Sequence, residues 1–385
     1  MEKPLQGVRV AEFCSTAAGP FCAMLLADMG AEVVKVEPPE GDALRQWPPI
    51  SNGFSENFAS INRNKQSVAL DLKDPESAAI AKCLALDCDV VVENNRPGVM
   101  DRLGLGYAAL SAGKPSLVYC SISAYGQTGP RSREGGFDLT IQASAGVMCV
   151  TGEEGGAPVK CGVPLSDFAS GLYGAYAIAA ALAAVRAGAK GMHIDVPMFG
   201  GTLAIAALQT SEYFGTGRNP RKLGSAHPRN APYQAFRAAD GYFAIAAGNQ
   251  NLWLRVVEVV AMPELAQDAR FASTRDRAAN QVGLRDLLET RFTAKPVAHW
   301  LDVFESAGVP HAAINDYSSA LADPQVEHMG WVQPLKLPGG TTTRTFASPL
   351  RLNGQLAAID RAPPALGEHT EQIRRKYSAK EQRHG

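Results

Sequence analysis

Apolar positions in the first forty residues fall into two patterns. Val8–Phe13 and Ala31–Glu37 are short, mainly apolar runs. Between them, Ala18–Met29 repeats its apolar residues at helical spacing, with Pro20 acceptable in a first turn. The spacing predicts a β-α-β unit, stopped by Pro38-Pro39. The alternation continues with a helix over Pro75–Leu86, a strand over Val90–Glu93, a short helix over Tyr107–Ser111 and a strand over Leu117–Ile122. Strands that are apolar throughout belong in a parallel sheet covered on both faces. Phe137–Val150 is apolar and rich in small residues, and a loop with Gly152, Gly155, Gly156 and Pro158 follows. A helix from about Asp167 to Arg186 and a strand over His193–Val196 come next.

The texture changes near residue 215, where GTGRNPRKLGSAHPRNAPYQ reads as a linker or exposed ordered loop. Beyond it, Tyr242–Ala246 reads as a strand, and Leu252–Val260, Asn280–Thr293 and Pro296–Ala307 as helices. A smaller α/β domain is expected at about 225–325. The 385 residues suit about two domains. The expected division is 1–214 as the N-terminal part of a large domain, 215–325 as linker and small domain, and 326–385 as a return linker with the rest of the large domain.

Composition narrows the function. Hydrophobic residues make up 46% and charged residues 19%, a globular balance, and the net charge is −1 with no basic stripe, which argues against a nucleic-acid partner. The opening MEKPLQGVRVAEF lacks the apolar core of a signal peptide. The apolar run Gly171–Val185 falls short of the roughly 20 residues that span a bilayer, so no membrane association is expected. Seven cysteines, an odd number without a C-x-x-C pair, fit reduced thiols in a cytoplasm rather than a zinc site or disulfide framework. No metal is expected.

The β-α-β start, with Glu37 ending the second strand, invites a dinucleotide reading. That reading needs G-x-G-x-x-G at the first turn, where glycines let a pyrophosphate approach the helix N-terminus. The turn here is Cys14-Ser-Thr-Ala-Ala-Gly19-Pro20, with one glycine. NAD is not expected, although a Rossmann-like sheet still offers its first turn to a nucleotide-like ligand.

Chemistry concentrates in Gly162–Gly174, GVPLSDFASGLYG. Asp167 there has two readings. It is a helix N-cap, where Asp accepts orphan N–H groups, or it is a reactive carboxylate at a sheet edge, flanked by glycines that let a substrate come close.

Nine stretches then point one way. They are AGP at 18–20, LxxxGAEVxKVExPxGD at 26–42, NRNKxSVxLDLKxPE at 62–76, VVENxRPGVMDRLGLGY at 91–107, SISAYGQTGP at 121–130, FDLxIQAxxG at 137–146, GVPLSD ending at Asp167, YQAFxxxDG at 233–241 and PPxLGEHT at 363–370. In this order, over about 350 residues, the chain resembles the class III CoA-transferases. These include formyl-CoA:oxalate and carnitine CoA-transferases and the related α-methylacyl-CoA racemases.

The resemblance implies a fold and a mechanism. The fold would be an interlocked homodimer of open rings, each with a Rossmann-like large domain, a small domain and two linkers. Asp167 would be the nucleophile, ionised at neutral pH, attacking an acyl-CoA to form an anhydride and then an aspartyl-CoA thioester. Coenzyme A would enter as substrate. Ala17 and Ala18 would lie near its adenine end, Lys73, Asn94 and Arg102 would contact the nucleotide and phosphates, and Leu70 and Leu103 would pack on it. Lys73 and Arg102 also read as ordinary solvated charges. Pro38 stands where some relatives carry a base. Gly248, Asn249 and Gln250 are candidates to surround the intermediate. His227 and Arg229, with Arg218, Arg221 and Lys222, are candidates for a counter-charge to a second carboxylate.

A racemase needs acid/base groups on both faces of the α-carbon. The racemases of the family place a His before the aspartate equivalent to Asp138 and a Glu in the small-domain loop, where this chain has Phe137 and Gln250. Transferase is therefore favoured over racemase, and over an acyl-CoA binder without turnover. Succinyl-CoA with a C5 dicarboxylate such as glutarate or itaconate is the expected pair.

Overall fold

The computed structural model describes residues 2–381. It divides into two compact units. One comprises the chain up to Val147, Lys160–Arg218, and the chain from Pro324 on. The other comprises Met148–Val159 and Asn219–Asp323.

The first unit is built on six parallel strands: β1 (Arg9–Phe13), β2 (Glu32–Glu37), β3 (Lys65–Ala69), β4 (Val90–Glu93), β5 (Val118–Ser123) and β6 (His193–Pro197). Their order is β3-β2-β1-β4-β5-β6. Successive strand residues point to opposite faces. Thus Val10, Val33, Val92 and Ile122 join helices α1 (Ala18–Asp28) and α4 (Leu165–Arg186) on one side. Ala11, Val34, Val91 and Tyr119 pack on the other side with α2 (Pro75–Asp87), where they meet Ile373 and Tyr377 of the C-terminal return. Two covered faces explain the unbroken apolar runs.

Strand β3 escaped the sequence reading for a physical reason. Its inward positions are Lys65 and Ser67, both fully buried. Lys65 is paired with Glu12 at 2.9 Å, and the Ser67 hydroxyl donates to Glu37 at 2.6 Å. Polar partners replace the apolar signature. The helices α3 (Asp138–Ser144), α5 (Met198–Ile205) and α6 (Ala207–Thr216) also went unassigned.

Helix α4 is long and apolar enough to cross a membrane, but here it lies against α1 and the sheet. Glycines set the approach. A Cβ on Gly171 would fall 2.9 Å from the Ala18 carbonyl and 2.8 Å from the Phe21 ring, and one on Gly174 would fall 3.0 Å from Cys22 Sγ. Asp167 lies one turn before Gly171, on the same helix face. The close crossing therefore brings the start of α4 to the N-terminus of α1.

In the second unit, β7 (Tyr233–Arg237), β8 (Tyr242–Ala246) and β9 (His311–Ala313) form an antiparallel sheet in the order β9-β8-β7. Helices α7 (Gln250–Val259), α8 (Thr274–Ala279), α9 (Gln281–Phe292) and α10 (Val297–Ser306) accompany it. Their core is largely aromatic, with Phe236, Phe243, Trp253, Phe271, Phe292 and Phe304 all buried. Back in the first unit, the hairpin β10 (Val332–Lys336)–β11 (Thr342–Phe346) precedes α11 (Thr370–Glu381), whose Ile373 and Tyr377 complete the α2 face.

Candidate active site

The strand order reverses between β1 and β4. The loops leaving their carboxyl ends diverge there and open a crevice, the usual ligand site of such sheets. The β1–α1 turn forms one wall. Ser15 and Asn94 exchange hydrogen bonds: the Ser15 N–H donates to Asn94 Oδ1 at 2.9 Å, and Asn94 Nδ2 donates to the Ser15 carbonyl at 2.8 Å. Thr16 takes the left-handed conformation, with φ 67°, and its N–H donates to Asp42 at 3.0 Å. A non-glycine residue pays roughly 1–2 kcal/mol for that conformation, so the turn is held by its partners.

Two cavities that share Ser15 and Asn95 open at this crevice. One, of about 580 Å³, is lined by Leu70, Lys73, Arg102 and Leu103 together with Phe13, Cys14, Val36 and Pro38. Lys73 and Arg102 are its cations, both exposed and without an ion-pair partner among the described residues. An apolar trough with two free cations suits an anionic, partly apolar ligand. Glu37 also borders this cavity, but Arg45 binds it through two contacts of 2.7 Å and Ser67 Oγ donates to it. Its carboxylate is therefore occupied and is not presented to a ribose, in line with the missing glycine fingerprint.

The second cavity, of about 470 Å³, is lined by Ala17, Ala18, Asn94 and Asp167, and also by Arg96, Glu134, Gly135, Gly136, Phe137 and Thr140. All seven residues expected to hold CoA thus border one cavity or the other, and Asp167 borders the second.

Asp167 is not the N-cap of α4. That position is Pro164, and Asp167 is the third helical residue, with no capping bond. Among the described residues its half-buried carboxylate accepts no hydrogen bond and has no cation partner. The Ser166 N–H, one of the first of α4, donates to Asp138 Oδ1 at 2.9 Å rather than to a cap of the helix's own. Burial first, and the Asp138 charge second, push the Asp167 carboxyl from 3.8 up to about 7. The positive end of α4 opposes this, by up to about 2 kcal/mol in a partly buried site, less than burial and the Asp138 charge contribute together. Asp167 therefore holds its proton to a much higher pH than an ordinary carboxyl. This corrects the expectation of full ionisation, which assumed an ordinary solvated carboxylate.

Gly248, Asn249, Gln250, His227 and Arg229 lie in the second unit. Asn249 Oδ1 caps α7 by accepting the Leu252 N–H, and Gln250 Oε1 accepts from Arg277 Nη1 at 2.8 Å. Gly248 faces the Asn230 side chain. His227 Nδ1 accepts the N–H groups of Arg229 and Asn230, both at 3.1 Å. Of the other cations named with them, Arg221 pairs with Glu154, and Lys222 donates to the carbonyls of Gly156 and Ala157.

Arg96, Glu134, Gly135 and Gly136 were missed as site residues. The Arg-Pro-Gly of the fourth motif was a signal for the first of them. The Arg96 guanidinium lies so close to Gly135 that a Cβ there would come within 2.9 Å of it.

Residues 5–370 match the family described as CoA-transferase family III. The chain is 39% identical over 373 residues to succinyl-CoA:glutarate CoA-transferase of Mus musculus, covering 96% of this chain and 86% of that protein. It is 37% identical over 384 residues to acetyl-CoA:oxalate CoA-transferase of Acetobacter aceti, covering 98% and 97%. The fold matches a CAIB/BAIF family protein from Brucella suis, with a TM-score of 0.86 and 37% identity, over 98% of this chain and 100% of that one.

Proposed function

From the premise that the chain belongs to CoA-transferase family III, we propose that it moves CoA from succinyl-CoA to a small dicarboxylic acid, with glutarate the first candidate, through covalent intermediates on Asp167. The observation that carries this reading is an unpartnered carboxylate of raised proton affinity, bordering a cavity that shares Ser15 and Asn95 with a cleft lined by two free cations. The choice of acids follows the named activities of the relatives.

The scheme balances. The Asp167 carboxylate attacks the thioester carbonyl and expels CoA thiolate, leaving a mixed anhydride. The thiolate attacks the aspartyl carbonyl and releases the donor acid, leaving an aspartyl-CoA thioester. An acceptor carboxylate attacks this thioester, again expelling thiolate. The thiolate then takes the acyl group of the new anhydride and restores the Asp167 carboxylate. No net proton moves, and each step exchanges acyl donors of similar reactivity. Lys73 and Arg102 would hold the phosphates of CoA, and Leu70 and Leu103 its apolar parts. Phe137, 74% exposed in the Asp167 cavity, has no proton to exchange, which supports transfer over racemisation.

We extend the proposal to an interlocked homodimer. Helix α6 has no buried residue, and Leu208 and Phe214 on it are 61% and 82% exposed. On α4, Leu172 and Tyr176 are 55% and 74% exposed. Apolar faces of this kind are covered in stable assemblies. A protein that sediments at the mass of one chain contradicts this part.

An acceptor screen tests the substrate assignment. With succinyl-CoA as donor, glutaryl-CoA formation should exceed transfer to butyrate or acetate by at least about tenfold in kcat/KM. Equal use of monocarboxylates rejects the dicarboxylate assignment.

The raised Asp167 pKa gives a second expectation. The nucleophile works only deprotonated, so activity is lost as pH falls through the folded-state value. The rate of CoA transfer should drop about tenfold per pH unit below about pH 7. Each substrate acid keeps at least one ionised carboxylate down to about pH 5, near the ordinary carboxyl range. A rate that stays flat from pH 8 to 5.5 contradicts the environment assigned to Asp167.

A further inference from the structure

Helix α4 starts without a capping side chain of its own, because Pro164 occupies the N-cap. Its first N–H groups need acceptors from elsewhere. Asp138, the first residue of α3, supplies one through Oδ1, as described above. Its other oxygen, Oδ2, accepts from Gln142 Nε2 at 2.7 Å, one turn further along α3. Gln142 is fully buried, and its Oε1 accepts the Cys161 N–H at 2.8 Å. The segment from Cys161 to Ser166, which delivers Asp167, is therefore clamped at both ends by one pair of side chains.

The orientation of that pair is forced. A Gln amide has one donor end and one acceptor end, and only one flip serves both a carboxylate and a backbone N–H. Asp138 in turn receives only uncharged donors in this clamp, so its charge is not neutralised there. The charged groups facing Asp167 are Asp138 from α3 and, around the same cavity, Arg96 and Glu134. Glu134 is paired with Arg131 at 2.8 Å.

We propose that Gln142 is a positioning residue that fixes Asp138 beside Asp167, and that the Asp138 charge so placed promotes acylation of Asp167. This rests on Asp167 being the residue that is acylated. The physical argument has two parts. A carboxylate of higher proton affinity is the stronger nucleophile toward a thioester carbonyl. Acylation also turns Asp167 neutral, so the repulsion between two carboxylates in the resting enzyme disappears as the anhydride forms. That repulsion raises the ground state and not the acylated state, which is the kind of difference that accelerates a step.

The test is single-turnover acylation by succinyl-CoA as a function of pH. Asp138→Asn keeps Oδ1 as an acceptor for the Ser166 N–H and removes the charge; its Nδ2 no longer accepts from Gln142, a loss read separately in Gln142→Leu. The Asp138→Asn acid limb should move down by about one pH unit, and its rate above pH 8 should fall roughly tenfold. Gln142→Leu should slow acylation by roughly tenfold or more, with the KM for succinyl-CoA within about twofold of the parent. An Asp138→Asn limb that stays at the parent position, whatever happens to melting temperature, shows a purely structural role and overturns the proposal. So does a Gln142→Leu protein that acylates at the parent rate. If Gln142→Leu does not fold, the Asp138→Asn limb alone decides. Failure of the underlying reading looks different, because the parent protein would then carry no adduct at Asp167 at any pH.

Discussion

Asp167→Ala protein is expected to lose CoA transfer by about 10³-fold or more while remaining folded. In the proposed scheme every step makes or breaks a bond to the Asp167 carboxyl group, so its removal leaves no alternative route. The stability effect should have the opposite sign. The folded-state pKa of Asp167 is raised, to about 7 from 3.8. Such a group favours the folded state most at low pH, below the unfolded value, and loses that contribution as pH rises from about 4 to about 7. At pH 8 the native protein carries a charged carboxylate that prefers to be solvated, and alanine relieves it. The variant should therefore melt at or above the parent temperature at pH 8, and the difference should shrink toward pH 4. A residue kept for structure would show the reverse, with activity following stability downward.

The second large effect is on stability. Lys35 Nζ is fully buried and has three acceptors: Glu12 Oε1 at 3.0 Å, Asp42 Oδ2 at 2.9 Å and the Cys14 carbonyl at 2.7 Å. Burial alone pulls its pKa down, but Glu12 and Asp42 together hold it above the ordinary lysine value. Glu12 is shared with the equally buried Lys65, which also donates to the Pro20 carbonyl and Asn62 Oδ1. Lys35→Met keeps the length of the side chain and removes one partner of a buried pair. That change costs about 3–5 kcal/mol, because the buried Asp42 carboxylate is left without its cation while Glu12 keeps only Lys65. The melting temperature should fall by roughly 6–20 °C. Asp42 also holds the left-handed Thr16, so surviving protein should show a raised KM for acyl-CoA. A Lys35→Met protein that melts within about 2 °C of the parent contradicts this account of the crevice wall.

Much of the sheet was legible because its strands are buried on both faces, and burial leaves a plain apolar record in β1, β2, β4 and β5. The record fails where a buried position is polar and paired. Lys65 and Ser67 leave β3 without an apolar run, so no strand was read there, and no local pattern marks Lys35 as a buried lysine with three acceptors. The aspartate was visible in the sequence, but its state was not. Pattern and spacing place Asp167 near a helix start, whereas its proton affinity depends on Asp138, twenty-nine positions earlier, and on burial set by the α1–α4 crossing at Gly171. The tie between Asp138 and Gln142 has helical spacing and was within reach once α3 was recognised. The tie from Gln142 to Cys161 depends on tertiary contact and left no local trace. Of the second-unit candidates, Asn249 caps α7, His227 accepts two turn N–H groups, and Gln250 accepts from Arg277, a tertiary contact that left no local trace.

The measurement that bears most directly on the central claim is mass spectrometry of the intact protein and its peptides after brief incubation with succinyl-CoA, quenched in acid and, in a parallel sample, in hydroxylamine. The account predicts a CoA-sized adduct on the peptide containing Asp167, its conversion to an aspartyl hydroxamate at that residue, and its discharge when glutarate is added. Protein that transfers CoA at full rate while the Asp167 peptide stays unmodified in both quenches would contradict it.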